Sequence, residues 1–194
     1  AAAPFPYRMI HMRNPWFFRL CLFATVLTLG VVVLGAYVRL SDAGLGCPDW
    51  PGCYGHWKVP AEEAHVASAN AAYPERQVVA AKAWKEMAHR YVAGSLGLLV
   101  LAIAILAWRH RRAPGQQVAL PLLLVVLIVF QSLLGMWTVT LLLKPLIVMG
   151  HLLGGLSTLA LLAWITLRSG ALWTRGEGPV RGSWRWIAVG ALGV

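Results

Sequence analysis

The chain has 194 residues, 59% of them hydrophobic and only 12% charged, where a soluble domain carries roughly 25% charged residues. Disorder needs low hydrophobicity and high charge, so it is excluded. Four apolar runs, each long enough to cross a bilayer, exclude a soluble globular domain in favour of a polytopic membrane protein. The net charge of +10 is therefore read by membrane side, and no nucleic-acid partner is expected.

In chain order the expectations are a cytoplasmic N-terminus over 1–15, a first helix over 16–38 and an extracytoplasmic loop with a cysteine pair over 39–87. A second helix follows over 88–108, a cytoplasmic loop over 109–117, and two more helices over 118–143 and 146–167. A cytoplasmic loop over 168–185 leads to the start of a fifth helix over 186–194. Each of the four long runs is near or above the ~20 residues a helix needs to cross ~30 Å of hydrocarbon, and in lipid the backbone must bond within its own segment. Nine residues as a helix rise only ~14 Å, so the last run reads as a helix cut short and the chain as part of a longer protein. The expected fold class is all-α: a four-transmembrane-helix bundle plus that truncated start.

The loops alternate in charge. One side carries Arg8, Arg13, Arg19, Arg109, Arg111, Arg112, Arg168, Arg175, Arg181 and Arg185 with Glu177 as its one acid, a net +9; the other nets +1. The positive-inside rule then puts the N-terminus in the cytoplasm. The 39–85 loop and the Lys144-Pro145 turn face outward, in a multi-pass protein of a bacterial cytoplasmic membrane.

Two histidines lie in or at the apolar runs. His89 opens the second helix and His151 lies five residues into the fourth. Both helices run from outside to inside, so the two imidazoles sit at similar depth, where they can ligate one haem iron from opposite faces. Ionisable groups inside a membrane are functional by default, which favours this reading over an interfacial His89. Ala93, Gly94, Gly154 and Gly155 stand beside the histidines. They make room for a flat macrocycle or, as spacing alone favours, close helix contacts. Glu86, one turn before His89, is either a base, proton relay or nucleophile towards the haem edge, or a solvated acid of the helix's first turn.

Cys47 and Cys53 flank Pro48-Asp49-Trp50-Pro51-Gly52 in the outer loop, where disulfides are permitted. A static staple and a redox-active pair both remain open; a metal site with His56 has an unusual spacing for zinc. Cys21 reads as a packed thiol. Gln131, with Ser132, Thr138 and Thr140 near it, either bonds between helices or lines a cofactor cavity. Arg39, ending the first helix, either snorkels or pairs with a haem propionate. Arg90 is placed with it as a candidate pocket or propionate contact.

Four stretches together resemble haem A synthase, the membrane enzyme that makes haem A for terminal oxidases. They are Gly35-Ala36-Tyr37-Val38-Arg39-Leu40-Ser41-Asp42-Ala43-Gly44-Leu45-Gly46-Cys47-Pro48-Asp49-Trp50-Pro51, then Glu86-Met87-Ala88-His89-Arg90, then Gln131-Ser132-Leu133-Leu134-Gly135-Met136-Trp137-Thr138-Val139-Thr140, then His151-Leu152-Leu153-Gly154-Gly155. They fall in the family's order over most of residues 30–160. The resemblance implies eight helices in two similar halves, each with a bis-His haem site, of which this chain is the first half. It implies oxidation of the C8 methyl of haem O to a formyl in successive steps. Haem O is then the substrate in this half, and a b-type haem is the cofactor in the other. His89 and His151 become the haem-ligand positions and Glu86 the candidate catalytic carboxylate. Cys47 and Cys53 match a cysteine pair proposed to relay electrons through a disulfide. Implied partners are haem O synthase, terminal oxidase subunits, an electron donor and a second copy of the chain. Competing classes are a b-type electron-transfer cytochrome, which usually needs four ligand histidines, a quinone-linked thiol oxidoreductase, which favours a C-x-x-C, and a non-catalytic oxidase assembly factor.

Overall fold

A computed structural model describes residues 15–113 and 116–169. The start of a helix expected over 186–194, and all but the last residue of the expected N-terminal segment, lie outside these residues. The fold is all-α, with five helices: α1 Pro15–Leu40, α2 Glu63–Ala72, α3 Ala80–Arg109, α4 Ala119–Thr140 and α5 Pro145–Ser169. α1, α3, α4 and α5 are long and apolar enough to cross a membrane. α1 and α5 open on Pro15 and Pro145, a first-turn position where the missing N–H would have no helical partner and φ is already set.

Two boundaries differ from the sequence reading by more than two residues. α3 begins at Ala80, eight residues before the expected 88. Ala80-Ala81-Lys82-Ala83-Trp84-Lys85-Glu86-Met87 is rich in strong helix formers, and only its charges hide it from a hydropathy criterion. α4 stops at Thr140 rather than 143, because Leu142 and Leu143 take left-handed φ values of 55° and 56°. That turn reverses the chain before Pro145, whose ring disfavours helical geometry at Lys144. α2 lies wholly within the expected loop.

The four long helices form a square. α1 packs on α3 and α5, and α4 packs on the same two; α1 faces α4, and α3 faces α5, only across the diagonal. Neighbours are antiparallel, so diagonal partners run parallel. An apolar core fills the end near the start of α1, from Phe17, Cys21, Ala24, Leu96, Val100, Ile103, Ala107, Leu124, Leu162 and Ile165. Its hydroxyls bond back along their own helices, as Thr25 Oγ1 does to the Cys21 carbonyl at 2.8 Å and Thr166 Oγ1 to that of Leu162 at 2.8 Å. Such bonds leave no donor unsatisfied in hydrocarbon. Phe23, Val26, Leu29 and Val33 are exposed along one stripe of α1, an apolar surface suited to lipid tails. At this same end Arg19 stacks on Trp16 and Arg111 on Trp108, at 5.4 and 5.0 Å, the aromatic and cationic pairing of a membrane interface.

The other end is capped by residues 41–79. Cys47, Cys53, Tyr54, Val59 and Ala69 bury a small second core against Ala83 and Met87 of α3. Tyr54 meets Tyr73 edge-to-face at 5.6 Å. The functional residues lie between the two cores.

Candidate functional site

The apolar core ends where the helices carry glycines and histidines, and close approaches between helices fix the register there. A Cβ added at Gly35 of α1 would stand 3.0 Å from Cε1 of His89 on α3. One added at Gly135 of α4 would stand 3.4 Å from Cε1 of His151 on α5. Gly155, one turn from His151, faces Val32 of α1, with the added Cβ 3.8 Å from its Cγ2. α1 and α5 are antiparallel, so stepping four residues from Gly155 to His151 corresponds to stepping from Val32 to Ala36. Both imidazoles therefore lie at the level of Gly35 and Ala36, on the diagonal helices α3 and α5.

Nδ1 of His89 and Nδ1 of His151 are buried and without a hydrogen-bond partner among the described residues, and so is Nε2 of Gln131. Gln131 lies one turn below Gly135, and its side chain fills the space where Gly154 lacks a Cβ. Leaving a buried donor or acceptor unmade costs roughly 1–3 kcal/mol, so three such groups within about one turn of each other form a site short of a partner. A flat ligand with a central metal fits the donor set: two imidazoles stand at one level on helices that lie across the diagonal from each other, and glycines stand where side chains would press on the rings. The glycines that do this come from neighbouring helices. Gly94, singled out beside His89, has open space around it.

Glu86 is not a solvated first-turn acid. It lies two turns into α3 and is 4% exposed. Its Oε2 accepts the backbone N–H of Cys47 at 3.0 Å, and its Oε1 accepts Nη2 of Arg90 at 2.5 Å. Nη1 of Arg90 donates to the carbonyls of Asp49 at 2.9 Å and Pro51 at 3.3 Å, and to that of Gly52. Arg90 is thus turned into the cysteine loop. Gly46 permits this docking, since a Cβ there would stand 2.7 Å from the backbone carbon of Lys82.

Cys47 and Cys53 form a disulfide, both fully buried. The bond takes up both thiolates and so removes them as metal ligands beside His56. Past it the chain turns through Tyr54 and Gly55, both at positive φ, and Cys53 and His56 exchange backbone hydrogen bonds at 2.7 and 3.1 Å. The Asp49 carboxylate ties the turn by accepting the N–H groups of Tyr54 at 2.6 Å and Gly55 at 2.7 Å. Burial, helped by the negative charge of Glu86, pushes the Tyr54 phenol up from its ordinary range, and its hydroxyl donates to the Gln77 carbonyl at 3.0 Å.

The structure joins Glu86, Arg90, Cys47 and Cys53 in one unit at the capped end, and sets His89, His151 and Gln131 among the helices between that unit and the apolar core. Arg39 is exposed and lines a separate cavity with Arg76 and Lys82. Cys21 is sealed in the apolar core. Sequence reasoning gave no individual role to Gly35, Gly46 or Gly135, although all three stand in the quoted stretches, because a glycine's use depends on which helix faces it. It also missed Asp49 and Tyr54 as ties of the loop; an Asp followed by Pro-Gly-containing turn sequence was the available signal.

Residues 18–194 match the family described as cytochrome oxidase assembly protein, COX15-CtaA. A protein of Shewanella oneidensis named heme A synthase is 52% identical over 158 residues, covering 81% of this chain and 46% of that protein. Heme A synthases of Alkalihalophilus pseudofirmus and Geobacillus kaustophilus are 31% and 33% identical over 60% and 57% of this chain, and 35% and 30% of their own lengths. The chain thus spans less than half the length of these curated relatives. It belongs to the COX15-CtaA family of cytochrome oxidase assembly proteins, as a portion of a multi-pass membrane protein whose relatives carry the name heme A synthase.

Proposed function

We propose that this chain is the substrate-binding portion of a haem A synthase: it holds haem O between His89 and His151 while the C8 methyl is oxidised to a formyl. The observation that carries this reading is the register of the two imidazoles. They share one level on diagonal helices, with unpartnered Nδ1 atoms and with glycines against their rings. When bound, a b-type haem in the part of the protein beyond this chain would serve as the redox cofactor, while His89 and His151 would hold the substrate macrocycle in place. Glu86 stands one turn from His89 on the same helix, oriented by Arg90 and the Cys47 N–H, and acts on a proton or on the oxidised carbon at the macrocycle edge. The capped end faces outward under the positive-inside rule, in a bacterial cytoplasmic membrane. Oxidising the methyl to a formyl removes electrons from the macrocycle and adds an oxygen atom, so an external oxidant of the dioxygen class accepts those electrons and a separate electron donor serves its activation; haem A then leaves towards a terminal oxidase.

A second element rests on its own observation. The disulfide is joined to Glu86 through the Cys47 N–H, so opening or closing it would shift a hydrogen bond that aims the carboxylate, which is the route by which a redox-active pair would act on the site. The b-type cytochrome reading gives Glu86 no task.

The test is axial ligation in the purified full-length protein loaded with haem O. The wild type should show a low-spin, bis-imidazole spectrum. His89→Ala and His151→Ala should each convert this half to high-spin or empty. Retention of the low-spin signal in either variant would remove that residue from the ligand set.

A further inference from the structure

Beyond the histidine level, at the capped end, lies a cavity of about 350 Å³ lined by Arg39, Asp42, Tyr54, Arg76 and Lys82 among others. Three cations face one acid there. Asp42 forms no ion pair with any of them within 4.0 Å, and the side chains of Arg39, Arg76 and Lys82 make no hydrogen bond among the described residues. Nη1 of Arg76 is buried and unpartnered. A guanidinium N–H withdrawn from water and left unbonded is costly, and an anion removes that cost with a charge-assisted bond. None of the roles given above to Glu86, Arg90 or the disulfide uses these three cations.

We propose that this cavity is a carboxylate-binding site that receives the propionate edge of the tetrapyrrole, an inference that rests on the haem O reading above. Position selects this ligand. Arg39 lies four residues beyond Gly35 on α1, about 6 Å along the axis, and Lys82 lies seven residues before His89 on α3, about 10 Å along it. The cations thus stand one to two turns outward of the imidazoles, along the line in which an edge-on macrocycle extends. Glu86 lies on the same outward side of His89. In a haem the C8 methyl neighbours a propionate-bearing carbon, so anchoring the propionates brings the methyl to be oxidised to the Glu86 side. The cavity then sets which edge of the macrocycle reacts, and Arg39, Arg76 and Lys82 are positioning residues.

The experiment titrates the full-length protein, freed of haem, with iron protoporphyrin IX and with its dimethyl ester, following the Soret band. The wild type should bind the diacid at least about tenfold more tightly, the least that one charge-assisted bond contributes. Arg76→Gln and the exposed-site variant Arg39→Gln should each weaken the diacid roughly tenfold and leave the ester unchanged. Equal affinities in the wild type, or variants that weaken both porphyrins alike, would overturn the proposal. His89→Ala reads the haem assignment separately: it should weaken diacid and ester equally, and no weakening would contradict the proposed function while the acid-to-ester ratio still decides the cavity. Vesicles of anionic and of zwitterionic lipid test the other source of an anion. Binding to anionic vesicles that is lost in Arg76→Gln, with diacid and ester bound alike, would assign the cavity to a lipid headgroup and overturn the proposal.

Discussion

Oε2 of Glu86 accepts the backbone N–H of Cys47 at 3.0 Å, so the carboxylate nearest the histidines and one end of the disulfide share a hydrogen bond across 39 residues of sequence. Arg90 closes the same unit from the other side, holding Glu86 Oε1 and three carbonyls of the cysteine loop. Movement of the loop therefore moves the hydrogen bonds that aim the carboxylate.

Arg90→Gln should undo this unit. Both partners are largely buried, at 12% and 6% side-chain exposure, and removing one member of a buried pair costs roughly 3–5 kcal/mol. The expected result is a cysteine loop that opens, read as much faster reduction of Cys47–Cys53 by a phosphine and faster thiol labelling afterwards. Arg90→Lys restores charge but not the fork and should fall between. An unchanged reduction rate in Arg90→Gln would show that the loop is held without the arginine.

The disulfide closes a loop of sequence separation 6. By chain entropy such a loop stabilises by about 2 kcal/mol. The double variant Cys47→Ser, Cys53→Ser should lower the thermal midpoint modestly. If the pair relays electrons, it should also lower haem oxidation far more than that loss explains. Activity that falls only in step with stability assigns the bond to a staple.

Crowding the histidines should cost ligand before it costs fold. Gly35→Val and Gly135→Val press on His89 and His151, where even a Cβ would stand at 3.0 and 3.4 Å. Haem content should drop by an order of magnitude in each. Gly94→Ala, with open space around it, should bind haem normally and gain about 1 kcal/mol of helix stability. Equal haem content in all three would contradict the placement of the site.

Alkaline pH should loosen the cysteine loop. The Tyr54 phenol is pushed up first by burial and then by the charge of Glu86, so the folded loop favours the protonated form. That contribution is intact below the ordinary tyrosine pKa and is lost as pH climbs through the raised one. Disulfide reduction should therefore accelerate at high pH, and Tyr54→Phe should flatten the rise; an unaltered profile in Tyr54→Phe would assign it to another group.

The four spans, the ligand candidates and the long loop with its cysteine pair could be read from sequence because hydropathy and helical spacing are local properties. Residues 80–87 could not, since Lys82, Lys85 and Glu86 mask a helix by their charge. Glu86 stood undecided between solvated acid and site carboxylate because burial depends on the loop that folds over it. Arg90 looked like a pocket cation, and only the folded loop shows its carbonyl partners. The square arrangement that brings His89 and His151 to one level also needs the packing of Gly35, Gly135 and Gly155, which no spacing within one helix reveals.

The most direct test is the haem composition of membranes from cells that make haem O and express the full-length protein, separated by chromatography and identified by mass. The account predicts haem A with the wild type, haem O held without conversion by Glu86→Gln, and neither held nor converted in this half by His89→Ala or His151→Ala. Haem A at the wild-type level in Glu86→Gln, or in either histidine variant, would contradict it.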